Sequence, residues 1–88
     1  MNADERLAGA GEVQLVNRAR SGDREAFRLL VERYQQKVFQ LVLRLVKDMD
    51  EAQDLTQEAF VKAFFSLPDF KGDSAFYSWL YRIAYNLS

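Results

Sequence analysis

The sequence predicts an all-α fold, a compact bundle of about four helices. Three observations lead there. Apolar residues between positions 24 and 46 recur at three- and four-residue steps, the period of a helix with one buried face. Residues that end and start helices punctuate the chain at Ser21-Gly22-Asp23, at Lys47-Asp48-Met49-Asp50 and at Pro68. No segment alternates apolar and polar residues as a half-buried strand does, and no internal repeat is present. With 88 residues the chain holds one domain at most, and a chain of this size buries about 60–65% of its unfolded surface.

Each element has a local reason. Residues 1–10 are small and polar, with Gly9 near their end, and read as a flexible tail ahead of a domain over 11–88. Glu12 to Arg20 forms a short helix with Val13, Val16 and Ala19 or Leu15 available to one side. Gly22 suits the left-handed end of that helix, and Asp23 is placed to cap the next. The second helix runs from about Arg24 to Val46, with Phe27, Leu30, Val31, Tyr34, Val38, Leu41, Val42 and Leu45 on its stripe. Asp48 or Asp50 caps a third helix, whose acidic start suits the positive helix N-terminus. That helix ends near Leu67, where Pro68 stops it. A loop then runs to Ser74, a good N-cap for the last helix. The last helix has no stop signal: Leu87 and Ser88 do not resemble a C-cap, so the chain reads as truncated within it.

Composition removes several function classes. With 49% apolar and 28% charged residues the chain is a globular domain and not a disordered one. The absence of cysteine and histidine excludes disulfides, thiolate catalysis and the usual zinc sites. Asp50, Asp54 and Glu58 share a helix face, but no histidine, second acidic helix or glycine-rich phosphate loop accompanies them, and a solvated face is the better reading. No nucleophile stands beside a base. The sequence therefore reads as a non-enzyme without cofactor, metal or small-molecule substrate. No run approaches the roughly 20 apolar residues that span a bilayer, and no signal peptide opens the chain, so a cytoplasmic location is expected.

The charge is −1 in sum but uneven along the chain. Arg18, Arg20, Arg24, Arg28, Arg33 and Lys37 make the first half locally basic. Asp48, Asp50, Glu51, Asp54 and Glu58 make an acidic stretch. Two partners, or two differently solvated faces, would give this pattern. On the third helix, Gln57, Phe60 and Phe64 lie close together, flanked by Asp54 and Glu58. That is either a docking face for a basic partner or a pair of core rings.

The segment Phe70 to Asn86 carries rings on more than one face. Phe76, Leu80, Ile83 and Leu87 form one stripe, Tyr77, Tyr81 and Tyr85 another, and Trp79, Arg82 and Asn86 a third. Flat rings beside a lysine, an arginine and an asparagine match what unstacked bases need. A crowded core helix explains the same residues equally well. A duplex-reading helix-turn-helix protein does not fit, because the last helix offers only Arg82 as a base.

Taken in order, these residues resemble the second conserved domain of bacterial RNA polymerase sigma factors of the extracytoplasmic-function group, close to the envelope-stress sigma factors. The similarity runs from about Val13 to Asn86. It includes Gly22-Asp23 with Ala26-Phe27, then Arg33-Tyr34 with Val38, and the run from Asp54 to Phe60. Phe70-Lys71-Gly72-Asp73-Ser74-Ala75-Phe76, Trp79-Leu80, Arg82-Ile83-Ala84 and Asn86 complete it.

The resemblance implies a helical domain with two tasks. Asp54, Gln57, Glu58, Phe60 and Phe64 match the family's docking site for the clamp helices of the polymerase β′ subunit. Phe70 to Asn86 matches the part that recognises and melts the promoter minus-ten element by flipping out a base of the non-template strand. By position, Phe70, Ser74, Ala75 and Phe76 form the loop side of the base pocket, with Gly72 and Asp73 in the same loop. Ile83 and Asn86 form its helix side. Lys71 and Arg82 contact the backbone, and Tyr77, Trp79 and Tyr81 pack or stack. The group is commonly held inactive by an anti-sigma factor, so such a partner is expected. The domain that reads the minus-thirty-five element is absent from this chain. Phe65 stands where many relatives carry a basic residue, and Tyr85 and Leu87 are bulkier than is common around the family's asparagine.

Overall fold

The computed structural model describes residues 11–88; the tail expected over 1–10 lies outside them. Four helices and one short turn follow one another: α1 (Glu12–Arg20), α2 (Arg24–Val46), α3 (Met49–Ser66), a 3-10 turn (Leu67–Asp69) and α4 (Phe76–Leu87). They form a compact all-α bundle, as the periodicity predicts.

The breaks work through caps. Gly22 takes a φ of 101°, which a side chain would resist, and turns the chain out of α1. Asp23 then accepts from the amides of Glu25 at 3.0 Å and Ala26 at 3.2 Å. At the far end of α2, Lys47 turns the chain with a left-handed φ of 60°. Of the two aspartates expected to cap α3 it is Asp48 that does so, accepting from the Glu51 amide at 2.9 Å. Pro68 sits in the 3-10 turn and ends α3.

The start of α4 corrects the sequence reading. Ala75, not Ser74, is the N-cap residue, and no side chain caps the helix. The loop needs one more residue than the pattern suggests, with Gly72 at a φ of 77° inside it. Ser74 is left half-buried beside the helix, with its hydroxyl uncommitted among the described residues.

The core is one cluster drawn from every helix. In α1 the buried residues are Leu15, Val16 and Ala19; Val13 is 73% exposed and is not part of that face. In α2, Leu30, Val38 and Val42 are fully buried, joined by Ala26 and Leu29, while Phe27, Val31, Tyr34 and Leu41 pack at its edge. Leu45 departs from the expected stripe and is exposed, in the last turn before the chain reverses. Small residues Ala52, Ala59 and Ala63 let α3 come close to its neighbours, with Thr56 bonding back to the Ala52 carbonyl at 2.7 Å. Phe76, Leu80 and Ala84 seat α4. α1 and α4, with 9 and 12 residues, are too short to be stable alone in water, so packing supplies their stability.

Asp23 gives a pH test of one junction. Its carboxyl lies below its ordinary value of 3.8, chiefly because the Ala26 amide and then the Arg18 side chain bond the charged form. Arg18 Nε donates to it at 3.0 Å. A carboxyl with a depressed folded pKa stabilises the fold above its unfolded pKa, and that contribution fades as pH falls through the folded one. Asp23→Ala is therefore expected to melt earlier than the parent at pH 7, with the gap narrowing below about pH 3.8. Urea unfolding at both extremes checks this; an equal gap at pH 7 and pH 3 would remove the charge from the explanation.

Candidate functional site

The rings of Phe70 to Asn86 divide into three groups. Phe70 and Phe76 are buried, with 5% and 4% of their surface exposed, and Trp79 leans on both at 5.0 and 5.7 Å between centroids. This cluster fastens the loop to the start of α4. Tyr77 and Tyr81 turn the other way, onto α2. Tyr77 stacks on Tyr34 at 4.9 Å and 18°, and the Lys37 ammonium lies 5.4 Å from its ring centre. Tyr81 donates its hydroxyl to the Lys37 carbonyl at 3.1 Å. Burial, and then the neighbouring Tyr77 hydroxyl, push the Tyr81 phenol up to about 12, so it stays a neutral donor at physiological pH. These two tyrosines hold helices together. Arg82, Tyr85 and Asn86 remain on the open face, one helical turn apart, with Ile83 half-buried beneath them.

Loop and α1 flank a half-open cavity of about 300 Å³. Phe70, Gly72, Ser74, Ala75 and Phe76 line one side, all of them residues the sequence assigns to the loop. Glu12, Val13, Val16, Asn17 and Arg20 of α1 line the other. Ile83 and Asn86, the expected helix side, do not line it. A helix rises about 1.5 Å per residue, so they stand about 10 and 15 Å further along α4 than Phe76. The role of α1 carries no sequence signal: its residues lie at the opposite end of the chain from the loop. Lys71 and Asp73 project from the loop and are exposed.

On α3 the structure separates what the sequence groups together. Asp54, Gln57 and Glu58 are exposed. Phe60 is buried, and Phe64 packs edge-on against Phe27 at 5.1 Å and 70°. The two rings thus lie beneath the face they were expected to centre. Its apolar groups are instead Val61 and Phe65, 56% and 75% exposed. Asp54, Glu58, Val61 and Phe65 follow steps of four, three and four, making one stripe that is acidic at one end and apolar at the other. Beside it, a cleft of about 460 Å³ separates α2 from α3, with the carboxamides of Gln35, Gln36, Gln53 and Gln57 around it. The basic run of the first half is partly neutralised, Arg18 by Asp23 and Arg28 by Glu25 and Glu32.

Residues 30–88 match the model of the Sigma-70 region 2 family. The chain is 59% identical over 73 residues to the RNA polymerase sigma-H factor of Pseudomonas aeruginosa, which covers 83% of this chain and 38% of that protein. It is 58% identical over 72 residues to the ECF RNA polymerase sigma-E factor of Escherichia coli K12, covering 82% and 37%. The chain thus spans less than two-fifths of the length of these relatives. Among solved structures, an engineered region 2 of sigmaE, determined by NMR in complex with GTAAAA, superposes with a TM-score of 0.83 at 46% identity, covering 89% of this chain and 81% of that one. Among the described residues no helix is long and apolar enough to cross a membrane.

Proposed function

The chain belongs to the Sigma-70 region 2 family, as an ECF sigma factor domain of the sigma-E-like kind, and from that premise we propose that it couples polymerase docking to promoter opening. It is not an enzyme; it acts by binding. In this reading α3 docks on the β′ clamp helices of RNA polymerase core, and the loop with α4 captures bases of the non-template strand at the minus-ten element. The observation that carries the reading is the loop-lined cavity at the residues matching the family's strand-capturing segment. The superposition on a region 2 solved with GTAAAA supports it.

Unstacking a base costs a few kcal/mol. Stacking on a side chain returns about 1–3 kcal/mol per base, so one pocket roughly balances one flip. Polymerase supplies the remainder, which suits a domain of net charge −1 that holds DNA weakly by itself. The strand leaves the cavity along Trp79, Ile83 and Asn86, with Arg82 and Lys71 beside its phosphates. The exposed stripe of α3, docked on polymerase when active, is the surface an anti-sigma factor covers. Both encounters take place in the cytoplasm.

Asn86→Ala tests the track along α4. A base-edge hydrogen-bond pair contributes about 1–3 kcal/mol, so promoter opening is expected to fall on the order of tenfold, with polymerase binding intact. The measurement is permanganate reactivity of promoter thymines in holoenzyme carrying the complete sigma factor. Normal opening would remove Asn86 from the contact surface; lost polymerase binding would place it on the wrong interface.

A further inference from the structure

Resting on the strand-capture reading above, we propose that α1 forms the second wall of the base pocket, with Asn17 reading the edge of the captured nucleobase and Arg20 holding its phosphate. The cavity is divided between the loop and α1, so a base that enters it from the loop side meets α1 next. Its apolar surfaces come from both sides: Val16, Phe70 and Phe76 are each at most 5% exposed, and Val13 stands at the opening. At about 300 Å³ it lies at the small end of the range for ligand pockets, about 300–1,000 Å³, which suits one base better than a larger ligand.

The polar groups suit a nucleotide. The Asn17 carboxamide has no hydrogen bond within the described residues, so its donor and its acceptor both remain for a base edge. Ser74, released from capping α4, offers a hydroxyl from the facing wall. Arg18 is occupied by Asp23, whereas Arg20 has no ion pair within the described residues and lines the cavity. Glu12, the one carboxylate on this wall among the described residues, accepts from the Tyr34 hydroxyl, which anchors it toward α2. An amide, a hydroxyl and a guanidinium with no ion pair among the described residues, set around an apolar slot, match a base with its backbone, and the slot is continuous with the loop assigned to the strand.

The test measures binding of this chain to GTAAAA and to each of its single-base variants across a salt series, with circular dichroism confirming the fold of every protein. The parent is expected to prefer one base at one position by at least fivefold. Asn17→Ala should flatten that preference and leave the other positions unchanged. Arg20→Ala should weaken all sequences about equally and reduce the slope of log affinity against log salt by about 0.7, the value for one phosphate of a single strand. Ser74→Trp, which fills the cavity, should abolish binding. If Ser74→Trp abolishes binding while the Asn17 and Arg20 variants keep the parent's preference and slope, α1 is scaffold only and the proposal falls. If Ser74→Trp binds like the parent, or the parent binds none of the oligonucleotides, the strand-capture reading of the loop falls and takes the proposal with it.

Discussion

Asp54→Lys combined with Glu58→Lys is expected to abolish binding to the β′ clamp helices while leaving the bundle folded. Both carboxylates are exposed on α3, and neither has an ion pair among the described residues, so the fold loses little when they are reversed. Lysine matches glutamate and exceeds aspartate in helix propensity, so α3 itself tolerates both exchanges. A basic partner surface that meets the parent's carboxylates would instead face two like charges, and such juxtaposition costs several kcal/mol. The expected loss of affinity is on the order of hundredfold or more. Pull-down with polymerase core, or titration with isolated clamp helices, reads it directly. The parent interaction should also weaken with salt, because exposed charges are screened beyond about 10 Å at 0.1 M. Phe65→Ser serves as a second arm: it removes the most exposed ring of the same stripe without touching a charge and should weaken docking while circular dichroism stays unchanged. Unaltered binding in both variants would detach polymerase docking from α3.

Leu80→Ala is expected to cost about 2–5 kcal/mol of stability, the range for truncating a fully buried leucine. Leu80 has no exposed surface and sits midway along α4. That helix has 12 residues and no side-chain cap at its start, so its packed face holds it in place. Small domains are stable by about 5–15 kcal/mol, so the loss is a large fraction of the whole. The loop should loosen with the helix, because Phe70 and Phe76 fasten it through Trp79 of α4. Urea unfolding measures the loss. Lys62→Ala, on an exposed position of α3, is the control and should stay within about 0.5 kcal/mol. A Leu80→Ala protein as stable as this control would mean that α4 is held by something other than its buried stripe.

Local chemistry was legible in the sequence. The helices over 12–20 and 24–46, the breaks at Gly22 and Pro68, and the Asp23 cap follow from period, φ preference and side-chain acceptors within a few residues. The family followed from residues in order. Period alone could not rank the faces of a helix with apolar groups all round. On α3 it left Phe60 and Phe64 as docking rings or core; packing buries Phe60, sets Phe64 against Phe27 of α2 and leaves Phe65 exposed. On α4 it could not say that Tyr77 and Tyr81 are taken up by Tyr34 and the Lys37 carbonyl.

By itself, then, the sequence determined where the first two helices run, that Pro68 ends the third and which family the chain belongs to, because those depend on neighbours along the chain. Tertiary structure decided which rings are covered, which stripe of α3 faces outward, and that α1 stands opposite the loop. Those depend on contacts between segments far apart in sequence, where burial of one surface is set by the shape of another and no local period records it.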